Sequence, residues 1–203
     1  MPTVQQLALE IVSREGGWVH DPADLGGATN HGVTLATLRG LRLDLDRDGQ
    51  VTEADLRRLS PAQAAQVFLD HYFRAPRIDQ LPAVLQPSVF DMQVNAGSQA
   101  VRVLQKLLTE MGHPCIADGV LGPRTVAAAR AAAQAAPGHI ADAYGIARRN
   151  YYYALADARP ASRRFARRRD GGKGGWITRA EEFISPAYRL TDAQHRARTA
   201  AWH

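Results

Sequence analysis

Most segments of this 203-residue chain repeat their apolar residues at helical spacing, and this periodicity restricts it to a mainly α body. The opening segment is the clearest. Val4, Leu7, Ala8, Ile11 and Val12 fall at i, i+3, i+4, i+7 and i+8, a single apolar stripe. Thr3 with Gln6 has the spacing of a capping box, and Gly16-Gly17 marks the stop. Hydrophobic residues make up 45% of the chain and charged residues 22%, which is a globular balance and excludes a disordered one. No apolar run approaches the roughly 20 residues of a membrane-spanning helix. Cys115 is the only cysteine, which excludes an internal disulfide and makes a cysteine-based zinc site unsuited to the chain.

Residues 18–34, WVHDPADLGGATNHGVT, carry too many turn formers for a helix and suit a short irregular hairpin. Thr34 should cap a short helix to about Leu41. After an acidic loop at 44–55, Ser60-Pro61 with Gln63 opens another helix, with Val67, Phe68, His71 and Tyr72 on one side. Val89, Phe90 and Val94 read as a short buried helix. Ser98 should cap an amphipathic helix carrying Val101, Leu104, Leu107, Leu108 and Met111, and Gly112 ends it. Asp118–Thr125, DGVLGPRT, is a turn before an alanine-rich helix. A long helix follows Pro137-Gly138 and runs to about Ala156. Helical stretches near 178–184 and 191–201 close the chain.

The charge is divided unevenly. Residues 1–100 hold 8 basic and 12 acidic residues, a net of −4, whereas residues 101–203 hold 17 basic and 8 acidic, a net of +9. Only Lys106 and Lys173 are lysines. Arg163, Arg164, Arg167, Arg168 and Arg169 cluster before a glycine-rich break at 171–175. Such a cluster suits an anionic wall polymer or membrane surface, or is a solvated face of an arginine-biased chain. No nucleic-acid motif accompanies it, so no nucleic-acid partner is expected.

Glu15 is the first candidate for chemistry. It follows Ile11 by four residues and Val12 by three, so it continues the apolar stripe, and it lies beside the negative end of the helix dipole. Both placements penalise an ionised carboxylate, and a protonated acid is what general acid catalysis requires. A single glutamate at a helix end also reads as one that reaches water or pairs with an arginine.

The residues around it narrow the choice. Glu15-Gly-Gly-Trp18, Asp21-Pro22, Asp24, Gly26-Gly27, Thr29-Asn30, Gly32 and Thr34 form the pattern EGGWxxDPxDxGGxTNxGxT, which resembles the N-terminal signature of glycoside hydrolase family 108. Phe90-Asp91, Val94-Asn95-x-Gly97, Leu104-Gln105, Asp118-Gly119, Gly122-Pro123, Thr125, Gly175-Trp176 and Arg179 extend the resemblance over roughly residues 5–185. It implies an α+β lysozyme-like fold, mainly α, with a short hairpin. It also implies an N-acetylmuramidase or endolysin that cleaves the N-acetylmuramic acid–N-acetylglucosamine bond of peptidoglycan, with a peptidoglycan-binding second half. On this pattern Glu15 is the catalytic glutamate, Asp24 the second carboxylate and Thr29 the hydroxyl opposite the acid. Asp21 is a rival for Asp24. Trp18, His20, Asn30 and Asn95 are candidates for holding substrate, each with a packing or turn role as the alternative. The organisation expected is a catalytic region at 1–93 with the acidic loop, a peptidoglycan-binding helical lobe at 94–190, and a C-terminal tail or helix at 191–203, with no visible linker.

The acidic loop has the spacing of an EF-hand. Asp44, Asp46 and Asp48 occupy positions 1, 3 and 5, Gly49 the turn at 6, and Gln50 position 7, where the backbone carbonyl is the ligand. Thr52 stands at 9, and Asp55 replaces the usual glutamate at 12. Three close carboxylates repel one another without a cation. The expectation is a structural calcium held by Asp44, Asp46, Asp48, Gln50 and Asp55.

The leading expectation is therefore a monomeric peptidoglycan hydrolase working on glycan strands. A lytic transglycosylase, or a non-catalytic wall-binding or secretion-related protein on the same scaffold, remains open. The N-terminus shows no basic segment followed by an apolar one, so no secretory signal is expected. Synthesis in the cytoplasm and action on the wall would then require a holin-type pore, lysis or a dedicated export route, as for a phage-type endolysin.

Overall fold

The structure is a computed structural model and describes residues 3–19 and 27–202. The chain divides into two compact units, one ending at Ala75 and the other beginning at Pro76.

The first unit opens with α1 (Val4–Glu15), which starts as its sequence dictates. The Gln6 N–H donates to Thr3 Oγ1 at 3.2 Å and the Thr3 N–H donates back to Gln6 Oε1 at 2.9 Å. Leu7, Ala8, Ile11 and Val12 are buried against α4 (Pro61–Phe68), whose own buried face is Ala64, Ala65, Val67 and Phe68. Burying a leucine or isoleucine side chain this fully contributes about 1.5–3 kcal/mol. α4 has the expected Ser60–Gln63 capping box with Pro61 at its first position, and it continues as a π-helical stretch at Leu69–Arg74.

Between α1 and α4 lie a small hairpin and two short helices. β1 (Thr29–Asn30) pairs antiparallel with β2 (Val33–Thr34), in the register Thr29 with Thr34 and Asn30 with Val33. Val19 pairs with the other edge of Thr29, so the segment leaving α1 forms a third strand position. The two turn residues, His31 and Gly32, both have positive φ, 53° and 77°, the backbone of a tight two-residue hairpin. Thr34 caps α2 (Leu35–Leu41), and Thr52 with Asp55 makes a capping box on α3 (Glu53–Arg58).

The second unit is built of helices and connecting loops, with an isolated antiparallel pairing of Arg167 with Lys173 among its described residues. α5 (Gln86–Ala96) and α6 (Gln99–Glu110) pack on each other, and α7 (Pro123–Ala135) packs on α6. The long α8 (Ile140–Ala158) packs against both α5 and α6. α9 (Arg163–Ala166), α10 (Gly175–Glu181) and α11 (Asp192–Arg198) complete the unit, and α9 and α10 lie on α8. Of the expected stripe of α6, Val101, Leu104, Leu107 and Leu108 are buried, with Ala100 and Val103, while Met111 follows the last helical residue and is half-buried. Ser98 stands at the cap position but its side chain makes no capping bond. Gly97, with φ of 57°, turns the chain directly from one helix into the next, and Ser98 is itself helical in backbone, which aims its hydroxyl away from the first amides.

The core of this unit contains ions. Asp91 and Arg148 are fully buried and paired at 2.5 Å, and Arg179 Nε donates to both Asp91 oxygens at 2.8 and 2.9 Å. Glu181 accepts from Arg149 at 3.0 Å and pairs with Lys173 at 2.5 Å. These pairs join α5, α8 and α10.

Candidate functional site

Glu15 is the last residue of α1, and Gly16 follows with φ of 81°. The expected inward orientation is not what the structure shows, because Glu15 is exposed. The stripe ends with Ile11 and Val12. Beyond it, Gly16, Gly17 and Gly32 supply no side chains to cover the glutamate. Only its stem is packed. A Cβ added to Gly32 would lie 2.9 Å from Glu15 Cγ, 3.0 Å from Glu15 Cβ and 3.1 Å from Phe68 Cζ. The hairpin turn and the ring of Phe68 therefore hold the aliphatic part of Glu15, while its carboxylate faces solvent.

Trp18, three residues on, is half-buried, and the Arg57 guanidinium lies 3.7 Å from its ring centre. One face of the indole is thus taken by a cation. Thr29 is half-buried and is fixed through its backbone, exchanging hydrogen bonds with Val19 at 2.8 and 2.9 Å. Asn30 is buried, and its Nδ2 donates to the carbonyl of Leu56 at 2.8 Å and to that of Leu59 at 3.4 Å, tying the hairpin to the end of α3. His20, Asp21 and Asp24 lie outside the described residues. Asn95 is exposed on the last turn of α5, in the second unit, and its Oδ1 accepts from the Tyr152 hydroxyl at 3.1 Å.

His31 was not singled out by sequence. Its Nδ1 lies 3.1 Å from the Gly16 carbonyl, which ties the hairpin turn to the end of α1. With Leu9, Val12, Ser13, Gly16, Gly17 and Pro61 it lines a shallow groove of about 370 Å³. The sequence signal was the pair His31-Gly32, set between two strands at the spacing of a two-residue turn. The first unit thus gathers Glu15, Trp18, Thr29, His31 and Gly32 at the end of one helix. That arrangement presents the exposed carboxylate of Glu15 beside a rigid turn and a groove, open to a polymer passing over the surface.

The acidic loop brings three of its expected ligands together. Carboxylate oxygens of Asp44, Asp46 and Asp48 lie within 4.8 Å of one another. Backbone amides shape the loop around them. The Arg47 and Gly49 N–H groups donate to Asp44 at 2.6 and 2.8 Å, and the Gln50 N–H donates to Asp48 at 2.7 Å. Asp55 has a different task. Its buried carboxylate accepts from the N–H groups of Leu45 at 2.7 Å, Asp46 at 3.1 Å and Thr52 at 2.8 Å, so it ties the start of the loop to the start of α3. The Thr52 bond, opposed by burial and helped by the amides of Leu45 and Asp46, holds the Asp55 carboxyl below the usual carboxylate range. Gln50 is exposed.

Three motif residues of the second unit, Asp91, Gln105 and Arg179, hold its packing together. Asp91 and Arg179 meet in the buried pair with Arg148. Gln105, buried on α6, holds the loop before α7. Its Nε2 donates to Asp118 Oδ1, the Val120 carbonyl and Thr125 Oγ1 at 2.8, 3.0 and 3.2 Å, and its Oε1 accepts from the Gly119 N–H at 2.9 Å.

Residues 8–97 match the family model described as Glycosyl hydrolase 108, and residues 99–181 match the one described as Predicted Peptidoglycan domain. Among solved structures, the chain is similar to that of Brucella abortus SagA, at 26% identity with a TM-score of 0.57, covering 98% of this chain and 94% of that one. No curated protein sequence matches. Among the described residues, no helix is long and apolar enough to cross a membrane.

Proposed function

We propose that this chain, whose residues 8–97 belong to the glycosyl hydrolase 108 family and are followed by a peptidoglycan domain at 99–181, is an N-acetylmuramidase that hydrolyses the bond between N-acetylmuramic acid and N-acetylglucosamine. The observation that carries the reading is the position of Glu15 within the family match. It closes α1, its stem is held by Gly32 and Phe68, and its carboxylate is open to a ligand. Glu15 donates its proton to the glycosidic oxygen as the bond breaks. Asp24, the second carboxylate, takes the proton released as water attacks the oxocarbenium-like sugar, and Thr29, fixed through its backbone to Val19, orients that water. The His31 contact to the Gly16 carbonyl keeps the hairpin turn against the helix end, which supports a fixed placement of Glu15 beside the hairpin. Trp18 and His20 are proposed as further contacts to the strand in the first unit, and Asn95 as a separate contact made by the second unit. Asn30 serves the hairpin itself.

We also assign a calcium ion to Asp44, Asp46 and Asp48 with the Gln50 carbonyl, and Asp55 braces that loop from behind. The residues fit: three carboxylates within 4.8 Å are hard oxygen donors in a preformed turn. The ion would neutralise their mutual repulsion and so stabilise the connection between α2 and α3.

The experiment is digestion of purified peptidoglycan by the parent chain and by Glu15→Gln, with mass spectrometry of the products. New reducing N-acetylmuramic acid ends that depend on Glu15 support the reading. Anhydro-muramic ends assign a lytic transglycosylase instead. No products from either chain assign a wall-binding protein on this scaffold, a reading favoured only by the exposure of Glu15.

A further inference from the structure

The arginine-rich segment of the second unit plays no part in the reaction just described. Residues 159–169 contain six arginines and no acidic residue. They are presented by α9 and by a tight hairpin in which Arg167 pairs with Lys173. The Arg168 N–H donates to the Gly172 carbonyl at 2.9 Å, and the Gly171 N–H donates to the Arg168 carbonyl at 3.0 Å. The hairpin and α9 are in direct backbone contact, since a Cβ on Gly174 would lie 2.5 Å from the Phe165 carbonyl oxygen. The arginines therefore stand on one rigid piece of chain.

Neutralisation there is partial. Asp170 pairs with Arg168 at 2.9 Å and Asp157 with Arg198 at 2.5 Å, while Glu181 is committed to Arg149 and Lys173. Arg159, Arg164, Arg169 and Arg196 are exposed and have no ion pair among the described residues. Like charges are also brought close. A Cβ on Gly171 would lie 3.6 Å from Arg167 Nη2 and 3.9 Å from Arg196 Nε, so two guanidinium groups flank one point of backbone. Arg163 and Arg198 both lie over Trp202, with guanidinium carbons at 6.0 and 5.8 Å from its ring centre. Asp170 acts on Arg168 and Arg196, and Asp157 on Arg198 and Arg163, so this repulsion is offset in part, and an anionic partner would relieve the remainder. Beside the arginines, Phe165 is 42% exposed and stacks on Trp176 at 5.0 Å, with Arg164 at 4.8 Å over its ring.

We propose that the exposed arginines of this region, Arg164 over the ring of Phe165, Arg169 within the hairpin and Arg196 beside Gly171, bind the carboxylates of the peptide stems of peptidoglycan. The proposal rests on peptidoglycan being the substrate. It adds that the second unit reads the peptide and not the sugar. Two features select carboxylates. The segment uses arginine almost exclusively, whose planar fork matches a carboxylate in two parallel hydrogen bonds. An apolar ring beside the cations suits a short peptide of small side chains and acids, whereas a sugar-binding platform would leave its aromatic face uncovered, and here Arg164 lies over it.

The test uses the full chain carrying Glu15→Gln, pelleted with purified sacculi at physiological ionic strength. Arg164→Gln/Arg169→Gln/Arg196→Gln in that background should be retained about tenfold less tightly, as three exposed ion pairs at the usual strength require. Sacculi whose carboxylates have been amidated with carbodiimide should retain the unsubstituted chain as poorly as native sacculi retain the triple variant. With Glu15 intact, the triple variant should digest peptide-stripped glycan at the parent rate, so a failure of the hydrolase reading shows there and leaves the retention result standing. Equal retention of parent and triple variant, or equal retention on native and amidated sacculi, overturns the proposal. So does binding to phosphatidylglycerol vesicles or to duplex DNA as tight as that to sacculi, which reassigns the face to phosphate.

Discussion

Replacing Gly32 with alanine tests how the hairpin holds Glu15. Gly32 has φ of 77°, where an L side chain costs about 1–2 kcal/mol. The new methyl would also sit 2.9 Å from Glu15 Cγ and 3.1 Å from Phe68 Cζ, closer than carbon atoms approach. Phe68 is buried and cannot withdraw, so relief has to come from Glu15 or from the turn. Overpacking of this kind costs about 1–3 kcal/mol, for a total of about 2–5 kcal/mol. Gly27→Ala is the matched control. Its φ is 71°, and among the described residues nothing lies within 4 Å of the added carbon, so it serves as the backbone-strain reference. By differential scanning calorimetry the unit ending at Ala75 should lose about 8 °C or more in Tm for Gly32→Ala, at about 4–8 °C per kcal/mol for a domain of this size. Gly27→Ala should lose about half of that. Peptidoglycan digestion at a temperature where both variants are folded should fall further for Gly32→Ala than for Gly27→Ala, because only the former moves Glu15. Equal losses of Tm and of activity in the two variants would refute the packing of Glu15 against the turn.

Asp91→Asn should destabilise the second unit by about 3–5 kcal/mol, since it leaves fully buried Arg148 without its counter-charge, and denaturant unfolding reads this directly. Asp55→Asn should lower the Tm at pH 7. The folded carboxyl of Asp55 titrates below its ordinary 3.8, so its stabilisation is complete above that value and lost as pH falls through the lower folded one. The Tm difference between parent and variant should therefore vanish in strong acid. A calcium chelator should lower the Tm, added calcium should restore it, and Asp44→Asn/Asp48→Asn should abolish the response.

What could be read from the sequence was what is decided within a few residues along the chain. The capping boxes at Thr3 and Ser60 and the stripe of α1 depend on neighbours three and four positions away. The gathering of Asp44, Asp46 and Asp48 depends on a loop whose amides lie next to its acids. Glu15 was misjudged in orientation because spacing gives the face of a helix but not what covers its end. Here the neighbours at that end are three glycines. Asn30 shows the same limit. Its partners are carbonyls 26 and 29 residues on, and no local pattern announces them. Asp91 and Arg179 belonged to recognisable motifs, yet their meeting with Arg148, 57 residues from Asp91, is a consequence of α5, α8 and α10 packing together. A buried arginine reads in sequence like any exposed one.

The most direct measurement is the initial rate of reducing-end release from purified peptidoglycan by the parent chain and by Glu15→Gln, with folding of both verified by their melting curves. Removing a general acid should slow release by about 10²–10⁴-fold with Tm unchanged. Release at the parent rate would contradict the assignment of the proton donor to Glu15.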